Sequence, residues 1–295
     1  LTYDFNEKYL FTAIIRRDGS SRFGSNKKYG YFPSFSAGWV PSREGFWKEN
    51  NIVNQLKIRG GYGVTGNDNI GDFKYLSTVG GGRNYVVGSA GNVTIGNSPD
   101  APSNPDLKWE ETSQLNIGFD TRLFNKITAT FDWYKKVTTG ILQQVTIPGY
   151  VGAIGFPTGN VADMENTGID LELGYANQFR DVNLSLNGNI SFIENEVTYL
   201  GNNVDFISGG ESIQSTTYPI TRTQVGLPIH SFYGFQTNGI FQNQSEIDAY
   251  VNSEGVVIQP DARPGDFKWV DVDDDGDIDS DDRDFLGNSL PKVTF

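Results

Sequence analysis

The chain has 295 residues with no cysteine and one histidine, which excludes a disulfide scaffold, a thiolate metal site and most routes to nucleophilic catalysis. Lys and Arg number 23 against 36 Asp and Glu, a net charge of −13, and nothing in this balance suits a nucleic-acid partner. No apolar run approaches the ~20 residues of a membrane helix, yet the hydropathy pattern is not that of an ordinary soluble domain.

In chain order, Phe5-Asn6-Glu7-Lys8 reads as a tight turn, and a polar, glycine-rich stretch follows over 18–29. Tyr29, Tyr31, Phe32, Phe35 and Trp39 are expected in an aromatic girdle, with Trp133 and Tyr134. Residues 41–55 predict a short helix. LKIRGGY then alternates Leu56, Ile58 and Tyr62 against Lys57 and Arg59. After a long polar stretch over 66–107, LNIGFDTRL sets Leu115, Ile117, Phe119 and Leu123 against Asn116, Asp120 and Arg122. A turn at Phe124-Asn125-Lys126 leads into ITATFDWY, with Ile127, Ala129, Phe131 and Trp133 opposite Thr128, Thr130 and Asp132. A long stretch over 139–164 precedes GIDLELGY, where Ile169, Leu171, Leu173 and Tyr175 oppose Asp170 and Glu172. The turn Gln178-Phe179-Arg180-Asp181 opens VNLSLNGNISF, which sets Leu184, Leu186 and Ile190 against Asn183, Asn187 and Asn189.

Two features select a membrane barrel over a soluble sheet. Charges and amides fill one face strand after strand, as a wet lumen requires, and tight turns on one side alternate with long loops on the other. The fold expected is all-β, part of a large antiparallel transmembrane β-barrel with long extracellular loops. About eight or nine segments have the 9–11 residues that a spanning strand needs. The polar set faces the lumen and the apolar set faces outer-membrane lipid, with Leu184 near mid-membrane. An open sheet leaves unsatisfied edges that a bilayer does not tolerate, so the chain is expected to be a fragment of a longer barrel.

The last long stretch, 195–291, holds most of the charge. Residues 261–284 contain eleven Asp against Arg263, Lys268 and Arg283. Within it, VDVDDDGDIDSDD has the spacing of a twelve-residue calcium loop over 271–282. Asp271, Asp273 and Asp275 take positions 1, 3 and 5, and Gly276 takes the sharp turn. Asp277 offers its carbonyl, Asp279 binds directly or through water, and Asp282 closes the shell. A merely solvated acidic run leaves the glycine and Ile278 in register unexplained. Asp at position 12 resembles the dockerin-type loop more than a calmodulin-type sensor. Ca2+ is therefore the expected metal, in a structural role.

RRDGSSRFG (16–24), YGYFPSFSAGWVPSREGFW (29–47), LKIRGGYGVTGN (56–67) and NPDLKWEETSQLNIGFD (104–120) resemble the SusC/RagA family of TonB-linked outer-membrane proteins. So do NVADMENTGIDLELGY (160–175), GLPIHSFYGFQTNGIFQ (226–242) and PGDFKWVDVDDDGDIDSDDRDFLGNSLPKVTF (264–295). The resemblance spans nearly the whole of 1–295. It implies a barrel of about 22 strands filled by a plug, importing oligosaccharide or peptide fragments with energy from TonB. It also implies a SusD-like surface lipoprotein as a lid. The plug that meets TonB, the signal peptide and the final strands are expected outside this chain.

Two other classes compete. A calcium-stabilised surface binding or adhesion module without transport shares the loop but not the need for lipid. A hydrolase would use Glu110 with Glu111, or Asp170 with Glu172, but each pair fits strand and loop polarity better than an acid/base site, so no catalytic residue is assigned. His230 lacks partners for a metal site and is expected to pack beside Phe232 and Tyr233. Tyr150, Phe156, Phe206 and Tyr218 lie with these two in outward loops, where they either stack on cargo or pack within the loop.

Overall fold

The structure, a computed structural model, describes residues 1–48, 51–88, 91–145, 147–201, 204–209 and 219–295. Eight strands follow one another in an antiparallel meander: β1 (Thr2–Phe5), β2 (Tyr9–Gly19), β3 (Tyr29–Trp39), β4 (Val53–Asn67), β5 (Glu110–Leu123), β6 (Ile127–Gln144), β7 (Thr158–Phe179) and β8 (Val182–Leu200). A short strand at Val293–Thr294 adds to β8 and completes a nine-stranded sheet. No helix among the described residues is long and apolar enough to cross a membrane, which leaves crossing by strands open.

The tight turns form where expected. Asn6 and Glu7, and again Phe124 and Asn125, take φ values of 52–56°, so that two successive left-handed residues match the twist of the flanking strands. Arg180, with φ 52°, closes the β7–β8 hairpin. The short helix expected within 41–55 is a 3-10 turn at Pro41–Arg43 in the β3–β4 connection. At the opposite end the loops are shorter than the sequence suggests at 139–164. There β6 passes through a bulge at Gly140, whose φ of 66° suits glycine, and continues to Gln144. Asn160 secures the bulge by donating from Nδ2 to the Gly140 carbonyl at 2.7 Å and to the Lys108 carbonyl at 2.9 Å.

Pairing fixes which side chains share a face. One row runs Ile58, Phe119, Phe131, Leu171, Ile190, and the next runs Gly60, Ile117, Trp133, Ile169, Phe192. Phe119 and Phe131 stack at 5.4 Å. This face is solvent-exposed over many large apolar groups, including Ile117, Phe119, Leu173, Leu186 and Phe192. A soluble monomer rarely exposes a contiguous apolar patch beyond a few hundred Å², whereas lipid contact accounts for it directly. The opposite face carries Asn116, Asp120, Arg122, Asp132, Asp170, Glu172, Asn183, Asn187 and Asn189, as read from the alternation. Strand β2 departs from the rule, with Leu10 and Ile14 on that inner face.

Two aromatics belong to the inner face and not to a girdle. Phe32 is 2% exposed and its ring lies over Gly30 and Gly66. Tyr134 lies over Gly168, on the face of Asp132. Phe32 joins Phe23, Leu107 and Trp109 in a buried cluster, with Phe32 and Phe23 rings 5.5 and 5.2 Å from Trp109. That cluster ties Phe23, Ile70, Tyr75, Leu107 and Trp109 of the neighbouring loops to Phe32 of the sheet. The depth expected of Leu184 also changes. It pairs with Asn177, two residues from the Phe179–Val182 pair that closes the turn, so Leu184 lies at the turn end and not at mid-span. The apolar series of β8 runs on from it through Leu186, Ile190 and Phe192.

Residues 204–291 form a compact unit of their own. Its sheet orders β9 (Phe206–Gly209), β10 (Thr221–Gln224), β11 (Ser231–Phe235) and β14 (Arg283–Gly287), and β12 (Thr237–Ile240) pairs with β13 (Phe267–Trp269). Phe241, Ile247 and Ile258 are buried in it. A single helical turn, α1 (Gln244–Asp248), starts at Asn243, whose side chain accepts from the Glu246 N–H. The segment read as one long loop over 195–291 thus begins with the end of β8 and continues as a folded unit.

Candidate functional site

The inner face of the sheet is organised by Arg59. Its row runs Arg59, Gly118, Asp132, Asp170 and Ser191 across five strands. The guanidinium crosses over Gly118 and donates Nη1 and Nη2 to the two Asp132 oxygens at 2.6 Å each, while Nε donates to Asp120 Oδ2 at 3.1 Å. A Cβ on Gly118 would stand 2.5 Å from Asp132 Oδ1, so glycine keeps this path open. The planar fork suits two oxygens at once. It also offsets the like charges of Asp132 and Asp170, which face each other directly across β6 and β7.

The aspartate loop lies in the 204–291 unit between β13 and β14. Carboxylate oxygens of Asp271, Asp273 and Asp275 lie within 4.8 Å of one another. Gly276 has φ 90°, and a Cβ there would stand 2.8 Å from Asn252 Nδ2, so both conformation and space demand glycine. Asp271 Oδ2 accepts from the Gly276 N–H at 2.9 Å, and Asp275 Oδ1 accepts from the Asp277 N–H at 2.9 Å. Asp271 Oδ1 is buried with no hydrogen-bond partner among the described residues. Desolvation, with the charges of Asp275, Asp282 and Asp271 adding to it, pushes the Asp273 carboxyl up. A buried orphan oxygen and crowded carboxylates fit a hard divalent cation, which takes oxygen ligands.

The other three expected ligands are held differently. Asp282 is 1% exposed, and its oxygens accept from the Val272 and Asp279 N–H groups at 2.7 Å each. Asp279 Oδ1 caps the 3-10 turn Ser280–Asp282 through the Asp281 N–H, and Asp277 Oδ1 accepts from the Ile278 N–H at 2.8 Å. Each carboxylate oxygen has further acceptor capacity, so these bonds leave Asp282 and Asp279 free to take part in a metal shell. Ile278 is half-buried and lines a hollow with Ile258 and Trp269. Sequence reading missed Asn252 and Ser253: the Ser253 N–H donates to Asp274 Oδ1 at 3.1 Å, and Asn252 Oδ1 accepts from the Val256 N–H at 2.9 Å. Asn252, Ser253 and Asp274 carry no spacing signal linking 252–256 to 271–276.

Two of the loop aromatics, Phe206 and Tyr233, serve packing. Arg222 lies 3.8 Å from the Phe206 ring and 3.6 Å from the Tyr233 ring, and Tyr233 meets Phe285 at 5.2 Å. Tyr150 and Phe156 are exposed, and Tyr218 lies outside the described residues. His230 takes φ 54° and its N–H donates to Thr223 Oγ1 at 3.0 Å. Glu110 and Glu111 alternate to opposite faces of β5, and Glu110 accepts from Asn67 Nδ2 and from the Leu142 N–H.

The profile of the TonB dependent receptor-like β-barrel family matches residues 1–286. The chain belongs to this family. A TonB-dependent receptor of Formosa agariphila is 36% identical over 88% of this chain and 23% of its own length. The TonB-dependent receptor SusC of Bacteroides thetaiotaomicron is 34% identical over 80% of this chain and 24% of its own. Among solved structures, the RagAB peptide importer in its open-open state superposes with a TM-score of 0.76 at 27% identity, covering 99% of this chain and 29% of that one. The chain therefore spans under a third of the length of these relatives, and the sheet is a segment of an outer-membrane TonB-dependent receptor barrel.

Proposed function

We propose that the whole protein is a TonB-energised importer of oligosaccharide or peptide fragments, to which this chain contributes barrel wall, with a SusD-like surface lipoprotein covering the mouth. The observation that carries it is the two-faced wall: the Arg59–Asp120 and Arg59–Asp132 ion pairs, Asp170, Glu172 and the amides of Asn116, Asn187 and Asn189 on one side, exposed apolar groups on the other. The names of the relatives, a receptor SusC and a peptide importer RagAB, support the reading. A detached adhesion module has no use for so large an apolar face. Cells carrying the full-length protein should take up labelled oligosaccharide or peptide only with TonB present. Uptake undiminished without TonB would overturn the proposal.

Within this reading the aspartate loop binds calcium through Asp271, Asp273 and Asp275, with Asp277, Asp279 and Asp282 completing the shell. The role is structural: the cation neutralises carboxylates that otherwise repel one another and so orders the segment around 264–288. Affinity of ~10⁻⁴ to 10⁻³ M suffices for an extracellular module. Calcium titration of the full-length protein should slow protease cleavage in this segment, and no change in cleavage would count against the site.

A further inference from the structure

The outward-facing series on β2 reads Tyr9, Phe11, Ala13, Ile15 and then Arg17, and its partners on β3 read Trp39, Ala37, Phe35, Pro33 and Tyr31. Arg17 stands at the loop end of this series, after an apolar run that begins beside the tight turn at Tyr9. The rise from Tyr9 to Arg17 is ~20 Å for a tilted strand, close to the height of the apolar band of such barrels. Strand β6 likewise interrupts its outward apolar series with a cation, Lys135, which pairs with Glu165 at 2.6 Å. Among the described residues no carboxylate pairs with Arg17 or Lys28.

Arg17 is nevertheless positioned. Its guanidinium lies 4.0 Å from the Tyr29 ring and 5.6 Å from the Tyr31 ring, and Lys28 lies 5.8 Å from Tyr29. Tyr29 lies flat because Gly19 beneath it has no side chain; a Cβ there would stand 2.8 Å from the ring. Stacking uses the faces of the guanidinium and leaves its N–H edge free for an anion. We infer that Arg17 and Lys28, framed by Tyr29 and Tyr31, form a binding site for the phosphate headgroup of an outer-leaflet lipid. The site belongs to the outward face of the barrel and does not depend on the cargo.

The test uses the full-length protein in phosphatidylcholine nanodiscs doped with bis-phosphorylated lipid A or with the same lipid after its phosphates are removed. Native mass spectrometry then counts retained lipid A. The wild type should retain the phosphorylated lipid, and Arg17→Ala should reduce retention about tenfold. Arg17→Lys should fall between them, because an ammonium keeps the charge but not the fork. If Arg17→Ala fails to fold, judged by heat-modifiable gel mobility, Tyr29→Leu tests the same site by removing the stacking and should also lower retention. Unchanged retention in these variants, equal retention of the dephosphorylated lipid, or displacement by millimolar inorganic phosphate would overturn the inference.

Discussion

Arg59 holds Asp132 through both carboxylate oxygens, at 2.6 Å each, from two strands away. The strand between them contributes only Gly118 at the crossing point. Cross-strand pairing in this wall therefore extends beyond nearest neighbours, and one cation ties β4, β5 and β6 together while offsetting the Asp132–Asp170 juxtaposition.

Arg59→Ala is expected to destabilise the full-length barrel by about 1–2 kcal/mol, a figure discounted because the pair is partly solvent-exposed. Adding Asp132→Asn should recover part of that loss by removing the unpaired charge. Strict additivity in a double-mutant unfolding cycle would show that the two groups do not interact.

Depth along β8 decides the cost of a charge on the outer face. Ile190→Arg, in the row of Phe131 and Leu171, should cost about 2–4 kcal/mol, and Leu184→Arg, beside the turn, about 0–1 kcal/mol. Asn187→Arg on the inner face should also be mild. Equal penalties at Ile190 and Asn187 in folding titrations would contradict the assignment of faces.

Asp271→Asn keeps the acceptor for the Gly276 N–H but removes a charge from the aspartate loop. The variant should resist protease in calcium-free buffer at least as well as the wild type, and calcium should protect it less. A full calcium response in Asp271→Asn would remove this residue from the site.

Much of the wall was legible because its strands alternate strictly, as in ITATFDWY and VNLSLNGNISF. Phe32 and Tyr134 were not, because each has an aromatic or apolar neighbour on the other face, so hydropathy alone does not choose between them. Their inward direction follows from bare glycines opposite, which invite a ring to lie over them. The unit at 204–291 was hidden by strands of three to five residues, too short for a period to register. In the aspartate loop the spacing revealed Asp271, Asp273 and Asp275, while the supporting bonds from Asn252 and Ser253 depend on tertiary contacts.

The two-faced wall is tested most directly by single cysteines at successive positions from Leu186 to Ser191, since this chain has no cysteine of its own. In outer membranes containing the full-length protein, a water-soluble maleimide should label positions 187, 189 and 191, while 186, 188 and 190 should stay protected and report to a lipid-phase quencher. Reversed alternation, or uniform labelling along the strand, would contradict a wall with water on one side and lipid on the other.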